Sequence, residues 1–136
     1  MEWFKYIDIP CYLVVAIFID LKSARDTAYF AGVAIQVVGF ALWMTARYQL
    51  GASFSVAAQA KRLVTTGLYA KFRHPIYLFA QAAFFGVFLA GHVWRIGLLF
   101  IVLSSFGQMR RARREEAVLE HAFGEEYRAW RARTWI

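Results

Sequence analysis

Nineteen consecutive residues, Ala28 to Ala46, carry no charge. A run of that length matches the roughly 20 residues a helix needs to cross a bilayer's hydrocarbon core, and the backbone's polar groups are best satisfied there within a helix. The rest of the chain agrees: 60% of its residues are hydrophobic and 18% aromatic, above the roughly 45–50% apolar share of a soluble domain. The excess calls for lipid. A formal charge of +7 and a pI of about 9.9 would in a soluble protein raise nucleic-acid binding. Here the basic residues crowd the flanks of apolar runs, as the positive-inside rule expects, and no groove-reading motif or basic recognition helix appears, so no nucleic-acid partner is expected. Cys11 is the single cysteine, which excludes an intrachain disulfide and a thiolate metal site.

The 136 residues form one domain by length. Ile9 to Ile19 is a shorter apolar run, which Trp3 and Phe4 extend if Lys5 snorkels to the interface. Asp8 and Asp20 bracket it without a small-residue cleavage site, so it reads as a retained membrane helix. Residues 1–46 therefore hold two N-terminal transmembrane helices. Residues 47–75 form a basic loop with Arg47, Lys61, Arg62, Lys71 and Arg73 and no acidic residue, which places it in the cytoplasm. Ile76 to Ala90 and Ile96 to Met109 are apolar runs joined by so short a connection that residues 76–109 must be an antiparallel helical hairpin. Residues 110–136 are a polar tail with seven arginines against five glutamates. The expected fold is an all-α integral membrane bundle of about four transmembrane helices, multi-pass, with a C-terminal hairpin, a cytoplasmic helical tail and both termini cytoplasmic. Ala28, Gly32, Ile35 and Gly39 give the second helix a small-residue stripe suited to close packing within the monomer, with a homodimer contact as the alternative. In the tail, Ala112, Glu116, Leu119 and Phe123 share a face, Gly124 is a helix stop, and Tyr127, Trp130 and Thr134 share a face suited to the membrane interface.

Chemistry concentrates where the basic loop meets the hairpin, in the stretch Leu63 to Tyr77, LVTTGLYAKFRHPIY. Pro75 sits where a helix tolerates proline best, in its first turn, which leaves Arg73 and His74 at a helix start. With the hairpin turn near residue 93, His74 comes opposite the region of Ala112, Tyr77 opposite Met109 and Gln81 opposite Ser105. His74, Tyr77 or Leu78, Gln81 and Phe85 then share a face, with a polar stripe of Ser104, Gln108, Arg111 and Glu115 across from it. Polar groups at membrane depth are costly and usually mark a site. The plain structural alternative is that Gln81, Ser104 and Gln108 are interhelical hydrogen-bond glue, that Arg73 and the arginines from Arg110 to Arg114 anchor headgroups, and that Glu115 pairs with Arg111. Glu115 and Glu116 repel each other unless a cation holds them. His92 and His121 read as surface residues, and no histidine has a second ligand at metal spacing, so no metal is expected.

Arg73, His74, Pro75 and Tyr77 of RHPIY, the upstream Thr66, Gly67 and Tyr69, the paired Glu115 and Glu116, and the FGEEY run from Phe123 to Tyr127 together resemble the isoprenylcysteine carboxyl methyltransferase family. Phospholipid methyltransferases are its more distant relatives. The resemblance covers about half the chain and departs from the family pattern at Phe79, where glycine is common. It implies S-adenosyl-L-methionine as cofactor, bound at the cytoplasmic end of the hairpin by Tyr69, His74, Pro75, Tyr77, Arg111, Glu115 and Glu116, with His74, Arg73 and Glu116 in catalytic roles. A lipophilic acceptor would arrive from the bilayer and its membrane lipids, with Gln81 and Arg133 as candidate substrate contacts. The acceptors it allows are a prenylated cysteine carboxylate, a phospholipid amine, or a small thiol or acid. Readings of another class are a nicotinamide-dependent membrane reductase, which resembles this architecture but tends to lack the glutamate pair, and a non-catalytic lipid-binding membrane protein.

Overall fold

The computed structural model describes residues 7–51 and 62–135. Trp3, Phe4 and Lys5, invoked to lengthen the first span, and Lys61 of the basic loop lie outside the described residues. The described chain forms four α-helices: α1 (Asp8–Lys22), α2 (Thr27–Leu50), α3 (Pro75–Ala90) and α4 (Trp94–Arg133), with a single 3-10 turn at Gly67–Ala70 before α3. No strand appears among these residues. By length and composition α2, with mean hydropathy 1.6, is the one described helix able to cross a bilayer unaided. α1 and α3 have 15 and 16 residues, about 23 Å each at a rise of roughly 1.5 Å per residue.

Two helices, α2 and α3, begin where local chemistry says they should. Asp26 caps α2, its carboxylate accepting the Tyr29 amide at 2.9 Å, and Pro75 opens α3 with the φ that a first turn requires. Gly91 and His92 turn the chain between α3 and α4, and His92 adopts φ +60 there. Its Nε2 lies 2.7 Å from Asp26 Oδ2, which ties the α1–α2 connection to the hairpin turn. α4 joins the fourth apolar run and the helical tail without a break. It runs on through Arg110–Phe123 as one helix, because RRARREEAVLEHAF is built of strong helix formers with no proline or glycine to stop it. Gly124 does break the direction: its φ of +50 lies in the left-handed region, and residues 125–133 form a last helical segment beyond the kink.

α3 is the central helix, packed most extensively on α2 and also on α4 and α1. The α2–α3 contact is a small-residue seam. A Cβ on Gly32 would lie 2.3 Å from the Ala90 amide nitrogen, one on Gly39 2.7 Å from that of Ala83, and one on Gly86 2.4 Å from that of Gln36. The stripe expected on α2 is thus occupied within the chain. Above this seam Tyr12, Phe40, Trp43 and Phe84 form an aromatic cluster, with Tyr12 stacked on Phe40 at 5.2 Å. Arg47, buried to 8% exposure, holds both oxygens of Asp8 at 2.9 Å, and Gln36 donates to Asp20 at 2.5 Å, so two polar pairs fix α1 along α2. Facing outward are Val14, Phe18 and Leu21 of α1, Val37 and Val38 of α2, and Leu103 and Phe106 of α4, each more than half exposed. An apolar coat this extensive marks a surface made for lipid or a partner rather than water.

The tail corrects one expectation. Tyr127 and Trp130 do not face outward toward a membrane interface: they are 0% and 4% exposed and pack with Ala46, Val64 and Tyr69 in a second core. The kink at Gly124 folds them inward. Trp130 Nε1 donates 2.8 Å to the Tyr69 carbonyl, so even its polar tip is satisfied inside the protein.

Candidate active site

At the end of the bundle where α3 begins, three segments converge: the start of α3, the middle of α4 and the folded-back tail. His74 occupies the cap position of α3 with no capping hydrogen bond from its side chain, leaving its ring free for other contacts. Nε2 of His74 lies 3.0 Å from Glu116 Oε1, and Arg73 donates to the same oxygen at 3.2 Å. Glu115 is held separately. Its Oε1 accepts from Tyr77 OH at 2.5 Å and from Arg111 Nε at 2.8 Å, one helical turn back, while its Oε2 lies 3.9 Å from His74 Nδ1. The adjacent carboxylates are therefore divided between two sets of partners, which offsets the repulsion the sequence implied. His74 stacks on Tyr77 at 5.6 Å between ring centroids, and the Arg111 guanidinium sits 5.7 Å from the centre of the Tyr77 ring.

The cluster is screened but reachable. Side-chain exposures of 15% for His74, 19% for Glu116 and 23% for Glu115 keep the cluster accessible while raising the worth of each charge-assisted contact. Pro75 is fully buried, and Tyr69 is buried behind the cluster with its carbonyl committed to Trp130. Burial first, then the Glu115 carboxylate, hold the Tyr69 phenol above its usual range, with Arg47 opposing. Its hydroxyl stays protonated and able to donate.

Deeper along the hairpin, Gln81 Nε2 lies 2.8 Å from Gln108 Oε1, 3.1 Å from Ser105 Oγ and 3.4 Å from Ser104 Oγ. The expected facing of Gln81 and Ser105 is present. Nearer the site the register drifts: Tyr77 reaches Glu115, and Met109, expected opposite it, is 52% exposed on the outer face. His74 likewise reaches Glu116 where Ala112 was expected. Long side chains reach past their nearest backbone neighbours toward opposite charge.

The structure thus brings together Arg73, His74, Tyr77, Arg111, Glu115 and Glu116, sets Gln81 below them, and leaves Arg133 apart. Arg133 is exposed and donates to the Ala129 carbonyl one turn back. Arg131 is the tail arginine that approaches the cluster, 4.0 Å from Glu116 Oε2 and 3.9 Å from Glu120 Oε2. The sequence did not single out Arg131, and Tyr127, which shares its helical face at i, i+4, read there as part of the FGEEY run and of an interface-facing stripe. The Tyr127 hydroxyl is buried without a hydrogen-bond partner, and its pKa is pushed up to about 12 by burial first and the Glu116 carboxylate second. Among the described residues no group of three or more His, Cys, Asp or Glu is arranged to hold a metal ion.

The sequence model of the family described as phospholipid methyltransferase matches residues 27–126. That span covers most of the chain. It includes α2, α3, the basic connection and both glutamates, so the match falls on the elements that build the cluster. The chain belongs to this phospholipid methyltransferase family. Comparison with curated proteins and with solved structures gives no match. Membership makes methyl transfer at a membrane the chemistry the cluster is to be judged against, and relates the chain to the isoprenylcysteine-type enzymes through their common membrane methyltransferase class. The helical architecture and the candidate span of α2 accord with membrane association.

Proposed function

We propose that this protein is an S-adenosyl-L-methionine-dependent methyltransferase whose helices form a four-span bundle, with its site at the cytoplasmic end and a lipophilic acceptor entering from the bilayer. The observation that carries the reading is the divided carboxylate pair, Glu116 on Arg73 and His74, Glu115 on Tyr77 and Arg111. Its donor set fits the cofactor's parts. A carboxylate takes the amino group or the ribose diol, an arginine takes the carboxylate, and the faces of Tyr69 and Tyr77 suit a cation. Bound there, the cofactor supplies an electrophilic methyl group.

The residues of this chain do the rest. Alignment of donor and acceptor and exclusion of water supply much of the rate, and orientation alone is worth about 7–11 kcal/mol in well-oriented systems. Partial burial of His74 and both glutamates limits water at the site. A carboxylate acceptor is already nucleophilic. An amine acceptor must lose a proton, and His74 is placed to take it, with Glu116 at 3.0 Å stabilising the imidazolium that results. A phospholipid amine and a prenylcysteine carboxylate fit this arrangement equally, and the same site would serve a small hydrophobic thiol or acid.

Calorimetric titration of detergent-purified protein with S-adenosylhomocysteine tests the proposal. Micromolar binding that Glu116→Ala abolishes, with no response to a reduced nicotinamide dinucleotide, supports methyl transfer. Binding of the dinucleotide instead would favour a reductase, and silence to both in folded protein would favour a lipid-binding role. Methyl incorporation into phosphatidylethanolamine, against a prenylcysteine, then separates the acceptors.

A further inference from the structure

The segment that carries Arg73 is fastened by the far end of the chain. The Trp135 amide donates to the Lys71 carbonyl at 2.6 Å, and the Arg73 amide donates back to the Trp135 carbonyl at 3.2 Å, which makes a short parallel β-bridge between residue 135 and the stretch around Phe72. The same Trp135 carbonyl also accepts from Arg73 Nε at 3.3 Å. One carbonyl oxygen therefore fixes both the backbone and the side chain of Arg73, while the outer guanidinium nitrogen is directed onto Glu116 at 3.2 Å. The Trp135 side chain takes little part in this, being 71% exposed. What acts is the backbone of the tail.

Arginine has about five donors on a rigid planar fork, so fixing Nε fixes where the remaining donors point. We propose that residues 134–135 act as a strap that positions Arg73 toward Glu116, and through it sets the affinity of the site for the nucleoside amino-acid cofactor. This rests on the methyltransferase reading above. Trp135 is in this sense a positioning residue acting through its main chain: its effect requires the arginine.

The test is a double-mutant cycle read by titration with S-adenosylhomocysteine. Ending the chain after Arg133 removes the strap. Arg73→Lys keeps a charge for Glu116 but has no Nε–H for the strap to hold. Removing the strap is expected to weaken binding about tenfold in the wild-type background and less than about twofold in Arg73→Lys, whereas Trp135→Ala, which keeps the carbonyl, stays within about twofold of wild type. Three results overturn the proposal: an equal loss in both backgrounds, no loss in wild type, or a loss in Trp135→Ala as large as that from truncation.

A wild-type protein that is folded but does not bind S-adenosylhomocysteine would instead sink the methyltransferase reading. The positioning claim is then read from thermal unfolding. The Tm losses of the truncation and of Glu116→Gln should overlap when combined, because both act on the Arg73–Glu116 contact, and strictly additive losses overturn it.

Discussion

α3 presents two unlike faces to its neighbours. Toward α2 it meets glycine with glycine or alanine, at separations where a single added methyl group would strike backbone. Toward α4 it meets serine, glutamine and glutamate through side-chain hydrogen bonds, and the α4 glycine that faces it, Gly97, meets a side chain, with a Cβ there 2.6 Å from Cβ of Phe88. A backbone-to-backbone seam leaves nothing to rearrange, because its contacts are van der Waals and geometrically fixed. A seam of side-chain hydrogen bonds can exchange partners with a ligand at little cost. The candidate site lies on the second face, and the first face holds the helix that carries it.

The sharpest test of the first face is to place the same bulk there and on the exposed side of α4, where a Cβ on Gly107 would meet nothing within 4 Å. Gly86→Leu should destabilise the fold by more than about 3 kcal/mol, since overpacking is joined by backbone displacement and no side chain can yield. Gly107→Leu should change stability by less than about 0.5 kcal/mol, as expected of an open position. Thermal unfolding in detergent reads both. Comparable losses at the two sites would show that the α2–α3 seam is no tighter than an open surface.

Next in size is Glu116→Gln, which leaves the helices intact and removes the charge shared by Arg73 and His74. With Glu116 holding the cofactor's amino group or ribose diol, losing that charge-assisted contact is worth about 1.5–3 kcal/mol. S-Adenosylhomocysteine affinity should therefore fall about ten- to a hundredfold. A loss below about fivefold would move the ligand contact elsewhere. Gln81→Leu should act more weakly and differently. Interhelical hydrogen bonds in membranes average about 0.6 kcal/mol, so a small drop in Tm and unchanged cofactor affinity are expected, with any catalytic effect confined to the KM of the acceptor.

Much of this contrast was legible in the sequence. Helical spacing placed Gly32 and Gly39 on one stripe, Pro75 fixed the start of α3, and the short turn at Gly91–Arg95 required Gln81 to face Ser105. The tail was legible only in part. Aromatic residues spaced along a polar helix look the same whether the apolar side meets lipid or a protein core, because both environments want a large apolar body with a polar tip. Only the left-handed turn at Gly124 decided for the core, and a glycine in sequence does not say which way the chain will leave it. The choice of Arg131 over Arg133 follows from the same turn. The strap at Trp135 is carried by backbone atoms, so no residue type announces it.

The smallest expected effect concerns Tyr127, at the junction of the site and the second core. Its hydroxyl is buried with no partner, so it adds nothing to stability that its removal would forfeit. Tyr127→Phe removes the hydroxyl and keeps the ring packed against Trp130, so Tm should stay level or rise slightly. The same change predicts a pH signature. The folded-state pKa is raised to about 12 from 10.0, so the folded protein holds the phenolic proton more tightly than the unfolded chain. That stabilisation is complete below pH 10, the unfolded value, and is lost as pH rises through 10 toward 12. Tyr127→Phe should lose less stability than wild type across that alkaline window. A lowered Tm at neutral pH would mean instead that the hydroxyl does have a partner in solution, and Glu116, the carboxylate that most raises its pKa, would be the first candidate.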